Sequence, residues 1–226
     1  MTRQRRAALF DFDGTLIRGD SQSMEVPWRL RHGRHPARLA FSLIPTMIFG
    51  LLSGLGLVSQ RAQNRVYLRT YRGSSEIDLI KQAEALFQMK IRRAFLPRLL
   101  DLMAAHRRAG DAIVIASATP YHILVPVVNY LKPDFLICTQ LETDAGGCCT
   151  GRSLGAICIG VQKAKRIRDL AACHHLDLAA GHAYSDHHVD LPMLTAVGHP
   201  QVVNPSKRLE GTAHKHGWPI HRCKSL

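Results

Sequence analysis

The chain has 226 residues, 46% hydrophobic and 21% charged, which excludes a disordered or collagen-like protein and allows one large domain, or a core carrying a smaller insertion. Lys and Arg total 30 against 17 Asp and Glu, a formal net charge of +13 that favours anionic partners such as phosphate esters, anionic lipid headgroups or nucleic acid. The six cysteines show no CxxC pair, and "MTRQRRAALFDF" lacks the apolar stretch of a signal peptide, so a reducing cytoplasm is the expected location.

Residues 7–12 predict a short buried strand whose mouth carries Asp11 and Asp13, followed by Gly14 and Thr15. Period-two alternation turns both carboxylates to one face, where like charges repel and ask for a cation. Gly14 suits a sharp turn with close backbone approach, and Asp20 in "RGDS" is placed to cap the next helix. Residues 20–95 carry helical patterns only and predict an inserted all-helical domain. Within it, "LAFSLIPTMIFGLLSGLGLV" (39–58) has no charged residue and is long enough to cross a bilayer. Pro45, Gly50, Gly54 and Gly56 are expected to break it into two shorter helices, and a single crossing would divide one sheet across a membrane. A buried helix pair, an interfacial contact and a span all stay open. Arginine-rich flanks at 29–38 and 61–69 support peripheral contact with anionic membrane through 29–72.

From residue 96 the pattern alternates. A helix at 97–109 starts on Pro97 and stops at Gly110, a strand follows at 112–117, and a helix after Pro120 carries Pro126, which predicts a kink. Strand ends are expected at 134–140 and 179–186, with a Gly-rich hairpin or flap at 141–158 and a helix at 161–174 between them. Helices between strands predict a parallel sheet, hence an α/β doubly wound core built from 1–19 and 96–226 around the helical insertion.

The groups that carry chemistry stand where strands should end: Asp11 and Asp13, then Ser117, then Lys163, then Asp186 with Asp190. Ligands of open α/β sheets bind at the carboxyl ends of strands, so these groups can meet in one pocket. Asp11 and Asp186 offer hard oxygen ligands for Mg²⁺, Ser117 a hydroxyl donor and Lys163 a charge for a phosphoryl oxygen. His182, His187 and His188 raise a transition-metal alternative, but the carboxylates favour Mg²⁺ and the histidines are expected to line the mouth. Asn204 in "VVNP" is read as a turn former or a pocket residue.

"DFDGT" (Asp11 to Thr15), "VIAS" (Val114 to Ser117), the lysine of "GVQKAKRI" and "YSDHHVDLPML" (Tyr184 to Leu194) together resemble the four motifs of the haloacid dehalogenase superfamily of phosphatases. An insertion between the first and second motifs resembles the helical cap of the subfamily that includes phosphoserine phosphatase. The resemblance implies a Rossmann-like core, an Asp11 nucleophile that becomes an aspartyl phosphate, and Asp13 as general acid and base. It implies Mg²⁺ held by the Asp11 carboxylate, the Asp13 main-chain carbonyl and Asp186, with Asp190 behind them or as an alternative ligand. Ser117, Lys163 and the backbone at Gly14 would hold the phosphoryl oxygens, and Asp20 stands where an acidic residue can reach substrate from the cap base.

Two departures from phosphoserine phosphatases, Gly14 in place of serine and "SATP" in place of a glycine pair, point away from an amino-acid phosphate. The charge-free cap segment resembles the phosphatidylglycerophosphatase C branch and suggests a lipid phosphate. Histidinol phosphate or phosphoserine is the soluble alternative. A phosphotransferase would use the same residues. A basic docking module without catalysis is the competing class, yet each catalytic position is filled and no nucleic-acid motif accompanies the charge.

Overall fold

The computed structural model describes residues 4–33, 36–55 and 57–223. Strand β1 (Arg5–Phe10) lies between β2 (Ala112–Pro120) and β6 (Leu176–Ser185), and the sheet extends outward through β3 (Phe135–Thr139) on one side and β7 (His199–Val203) and β8 (Ile220–His221) on the other. All neighbours in this order, β3-β2-β1-β6-β7-β8, are parallel. The central strands are apolar on both faces because both are covered. Ala8 and Phe10 of β1 with Ile113 and Ile115 of β2 pack against α6 (Pro97–Arg108) and α7 (Tyr121–Leu131). The alternate residues Ala7, Leu9, Ala112 and Val114 pack against α8 (Val161–Cys173), α9 (Leu191–Leu194) and α10 (Lys207–His216). This is the Rossmann-like α/β arrangement expected, and its ligand crevice opens where chain order reverses beside β1.

Strand β1 stops at Phe10, two residues short of the expected end. Asp11 and Asp13 therefore stand in the turn beyond the strand. They still share a side, because Phe12 between them is driven fully into the core and its carbonyl accepts from Leu16 N at 2.9 Å.

Between β1 and α6 the described residues form helical elements: α1 (Ser21–His32), α2 (Pro36–Gly54), α3 (Gln60–Leu68), α4 (Glu76–Leu86) and the short α5 (Arg92–Ala94), with a 3-10 turn at Arg69–Tyr71 and a π turn at Phe87–Ile91. Pro45 and Gly50 do not divide α2. The one backbone donor that Pro45 lacks is lost on an exposed side of the helix, where the freed carbonyl of Phe41 can meet water. Gly56 and residues 34–35 of the arginine-rich flank lie outside the described residues. Helix α7 likewise continues through Pro126. The Gly-rich segment forms an antiparallel pair, β4 (Leu141–Thr143) and β5 (Cys149–Ser153). That pair shares a core with Tyr67, Leu68, Tyr71 and Leu79, so the hairpin packs against the helical insertion.

A buried polar network ties the insertion to the core. Glu25 on α1 accepts from Tyr67 OH at 2.6 Å and from Tyr71 OH, and its other oxygen lies 3.1 Å from His122 Nε2 at the start of α7. Arg29 bonds Thr70 and stacks over the Tyr71 ring. Burial alone would raise the Glu25 carboxyl, but His122, Arg29 and the tyrosine hydroxyls hold it down at about 2. A folded value below the unfolded one means that Glu25 stabilises above pH ~4.5, and that its contribution, about 3 kcal/mol, disappears as pH falls toward 2. Glu25→Gln is accordingly expected to lower the urea midpoint at pH 7, with the gap to wild type closing below pH 4. A constant gap across that range would show that the carboxylate's charge is not what holds the network.

Candidate active site

Asp11, Asp13, Gly14, Ser117, Lys163, Asp186 and Asp190 line one cleft of about 650 Å³ at the carboxyl ends of β1, β2 and β6. Helix α3 of the insertion forms the facing wall with Gln60, Gln63 and Asn64. A smaller cavity of about 220 Å³ lies in the insertion beside Arg38, Arg69 and Arg72 and contains none of these acids.

The two carboxylates of the first turn occupy different chemical settings. Asp11 Oδ1 accepts from Lys163 Nζ at 2.9 Å, and the same ammonium donates to Asp190 Oδ2 at 2.8 Å. Ser185 Oγ adds a second bond to Asp190 Oδ2 at 2.9 Å, so that Asp190 acts here as the holder of Lys163. Burial would lower the Lys163 ammonium, but Asp11 and Asp190 outweigh it and hold it above its ordinary value, which keeps it charged. Asp13 faces neutral donors: Ser21 N at 2.7 Å, Ser21 Oγ at 3.1 Å and Thr119 Oγ1 at 2.6 Å. Burial raises the Asp13 carboxyl and these bonds only partly oppose it, so a proton is held there more readily than on an exposed aspartate.

Ser117 hydrogen-bonds Thr119 at 3.0 Å, and Thr119 passes the contact on to Asp13. No motif in the sequence singles out Thr119 or Ser21. The one available signal for Thr119 was a second hydroxyl in "SATP", two residues past Ser117, at the irregular end of β2. Asp20 caps α1, accepting from Ser23 N at 2.7 Å, and also borders the cleft, as do Arg18 and Asn204. Asn204 adopts φ 40° and bonds the Cys223 backbone through both ends of its amide, so its side chain anchors the C-terminal segment. His187 lines the cleft, whereas His182 lies between His106, against which it is tilted, and His199, on which it stacks, and is not among the residues lining the cleft. Its position within β6, paired with Ala8 of β1, carries it away from the strand's end.

Gly14 is required by space as well as by its φ of 72°. A Cβ there would lie 2.2 Å from Asp186 Oδ2. Gly14→Ala is expected to push Asp186 aside and lower phosphatase turnover by at least ~tenfold, with a higher Mg²⁺ concentration needed for half-maximal activity. Unchanged Mg²⁺ dependence would show that Asp186 is free to move without consequence.

The charge balance fits a dication. Asp11, Asp186 and Asp190 crowd a single lysine, and burial together with Asp190 raises the Asp186 carboxyl to about 7. Burial likewise raises Asp11 well above the ordinary range despite Lys163. Among the described residues no three His, Cys, Asp or Glu side chains form a ready ligand cluster. The side chains of Asp11 and Asp186 share the cleft as hard oxygen donors, a sparse set of the kind that suits a Mg²⁺ ion keeping several waters.

A parallel α/β sheet with paired carboxylates, a buried lysine and a hydroxyl at the strand ends, facing a helical insertion, has the arrangement of a phosphoryl-transfer hydrolase. The family model for haloacid dehalogenase-like hydrolase matches residues 8–195. Phosphoserine phosphatase SerB1 of Mycobacterium tuberculosis is 31% identical over 222 residues, covering 95% of this chain and 70% of that protein. A histidinol-phosphatase of Neisseria meningitidis is 27% identical, covering 97% of this chain and all of its own length. A crystal structure of a protein of unknown function from Bordetella pertussis superposes with a TM-score of 0.85 at 28% identity, covering 97% of this chain and 99% of the other. This chain belongs to the haloacid dehalogenase-like hydrolase family, and it is a phosphatase of that type.

Proposed function

We propose that this protein is a Mg²⁺-dependent hydrolase of small, polar phosphate monoesters, working through phosphorylated Asp11. The observation that carries the reading is the contrast between the partners of the paired carboxylates: Asp11 meets the Lys163 ammonium, a charge that favours its ionised form against burial, whereas Asp13 meets only the neutral donors of Ser21 and Thr119. An Asp11 oxygen attacks phosphorus and forms the new P–O bond while protonated Asp13 gives its proton to the departing alkoxide. Asp13, now ionised, takes a proton from water; that water attacks the same phosphorus, releasing inorganic phosphate and restoring Asp11. Lys163 and Ser117 hold phosphoryl oxygens as negative charge spreads over them. The Asp11 and Asp186 side chains and the Asp13 carbonyl would hold Mg²⁺, which when bound offsets the repulsion between nucleophile and substrate.

The walls of the cleft favour a soluble substrate over a lipid phosphate. Arg18, Asp20, Gln22, Gln60, Gln63 and Asn64 surround the place where the leaving group must lie, and Ile159 and Val189 are the larger apolar side chains among the lining residues, too few to house acyl chains. Arg18 and Asp20 suit an amine-bearing alcohol such as serine or histidinol. Purified protein should release phosphate from phosphoserine or histidinol phosphate with Mg²⁺ and not with EDTA, and Asp20→Asn should raise KM for those esters several-fold more than for an aryl phosphate. A higher kcat/KM on phosphatidylglycerophosphate in vesicles would reverse the choice of substrate. No phosphate release from any ester would remove the whole reading.

A further inference from the structure

Helix α2 presents an apolar stripe to solvent. Phe41, Ile44, Met47, Ile48 and Leu51 are between 52% and 77% exposed, and at 100° per residue they fall within an arc of roughly 120°. The opposite side, around buried Leu39, packs on α1, α3 and the 3-10 turn. Leu55 and Leu57, both exposed, extend the patch beyond the helix. The other large exposed apolar residues, including Ile77, Met89, Leu154 and Val161, are far apart in sequence, so α2 holds the concentrated patch among the described residues.

The surroundings of this stripe say what covers it. Residues 26–75 contain eight arginines and no aspartate or glutamate. Arg31, Arg38, Arg61, Arg65, Arg69 and Arg72 are exposed, on α2 itself and on the elements packed against it. A second copy of the chain docked on the stripe would bring Arg38 of α2 and Arg61 and Arg65 of α3 against their own equivalents, with no acid on either helix to offset them. No described helix is long and apolar enough to cross a membrane.

We propose that α2 is a membrane-docking helix, lying in the plane of an anionic phospholipid surface with its stripe among the acyl chains and the arginines on lipid phosphates. Apolar burial and electrostatic attraction act together in such a contact, and neither alone suffices for firm binding. The inference goes beyond the catalytic reading and does not depend on it. It has a geometric consequence for the enzyme: α3, against which α2 packs, carries Gln60, Gln63 and Asn64 on the cleft wall, so docking holds the cleft close to the bilayer.

Flotation of the full chain with vesicles tests the proposal. Wild type should float with phosphatidylcholine vesicles containing phosphatidylglycerol, stay behind with phosphatidylcholine alone, and be released by salt. The triple variant Phe41→Ser, Met47→Ser, Leu51→Ser should lose at least ~tenfold of the bound fraction while still hydrolysing an aryl phosphate at the wild-type rate, and Arg61→Gln with Arg65→Gln should lose a similar amount. Wild type that ignores anionic vesicles overturns the proposal, as does binding that survives either set of substitutions. A wild-type dimer that the triple variant converts to monomer, without vesicle binding, assigns the stripe to a second copy instead. The salt and lipid dependence of wild type decides the matter even if a variant fails to fold.

Discussion

Asp11→Asn is expected to lower kcat by roughly four orders of magnitude or more, since the amide cannot form the acyl phosphate and no neighbouring carboxylate can take its place. Asp13 is turned to Ser21 and Thr119, and Asp190 is committed to Lys163 and Ser185. The fold should survive the change. Burial raises the Asp11 carboxyl, a sign that the folded state disfavours its charge without a metal, so the neutral amide relieves that cost and Lys163 keeps Asp190 as its partner. The expected pattern is therefore an inactive protein whose metal-free melting temperature at pH 7.5 is no lower than that of wild type. Acid quenching during turnover with labelled phosphate ester should trap label on wild type and none on the variant. Undiminished turnover by Asp11→Asn would remove the covalent mechanism.

Lys163→Met carries the largest expected cost in stability. The side chain is 2% exposed and is the ionic partner of both Asp11 and Asp190. Its removal leaves buried carboxylates without their cation, a change that costs about 3–5 kcal/mol where one partner of a buried pair is deleted. The pH dependence has a definite sign. Asp11 is raised by burial and lowered by Lys163, so without the lysine it holds its proton still more tightly in the folded than in the unfolded chain, and stability must rise as pH is lowered through the carboxylate range. Urea unfolding should show a larger deficit against wild type at pH 8 than at pH 5. Adding Asp190→Asn should return part of the loss, because one of the two stranded charges is gone. Equal deficits at both pH values would mean that Lys163 supports the fold by packing and not by charge.

The chemistry was legible in the chain because each motif is a short run at the end of a strand, and the parallel alternation of strands and helices leaves little freedom in where those ends meet. Asp11, Ser117, Lys163 and Asp186 share one cleft for that reason. The supporting contacts were hidden. Thr119 and Ser21 reach Asp13 from 106 and 8 residues away, and Asp190 meets Lys163 across 27 residues, so their roles depend on which neighbours the packing supplies. The Glu25 network has the same character: a lone glutamate on a helix reads as a solvated charge until Tyr67, Tyr71 and His122 close around it.

The charge-free segment shows the division most plainly. Its composition established that apolar surface and arginines lie side by side in the insertion, since both are properties of residue type and spacing. Whether Pro45 and Gly50 would break the helix, and which side chains would be covered, rested on the partners that α1 and α3 offer. They cover the side around Leu39 and leave Phe41, Met47 and Leu51 in solvent, because a single layer of helices can bury one face of α2 and has nothing to place against the other.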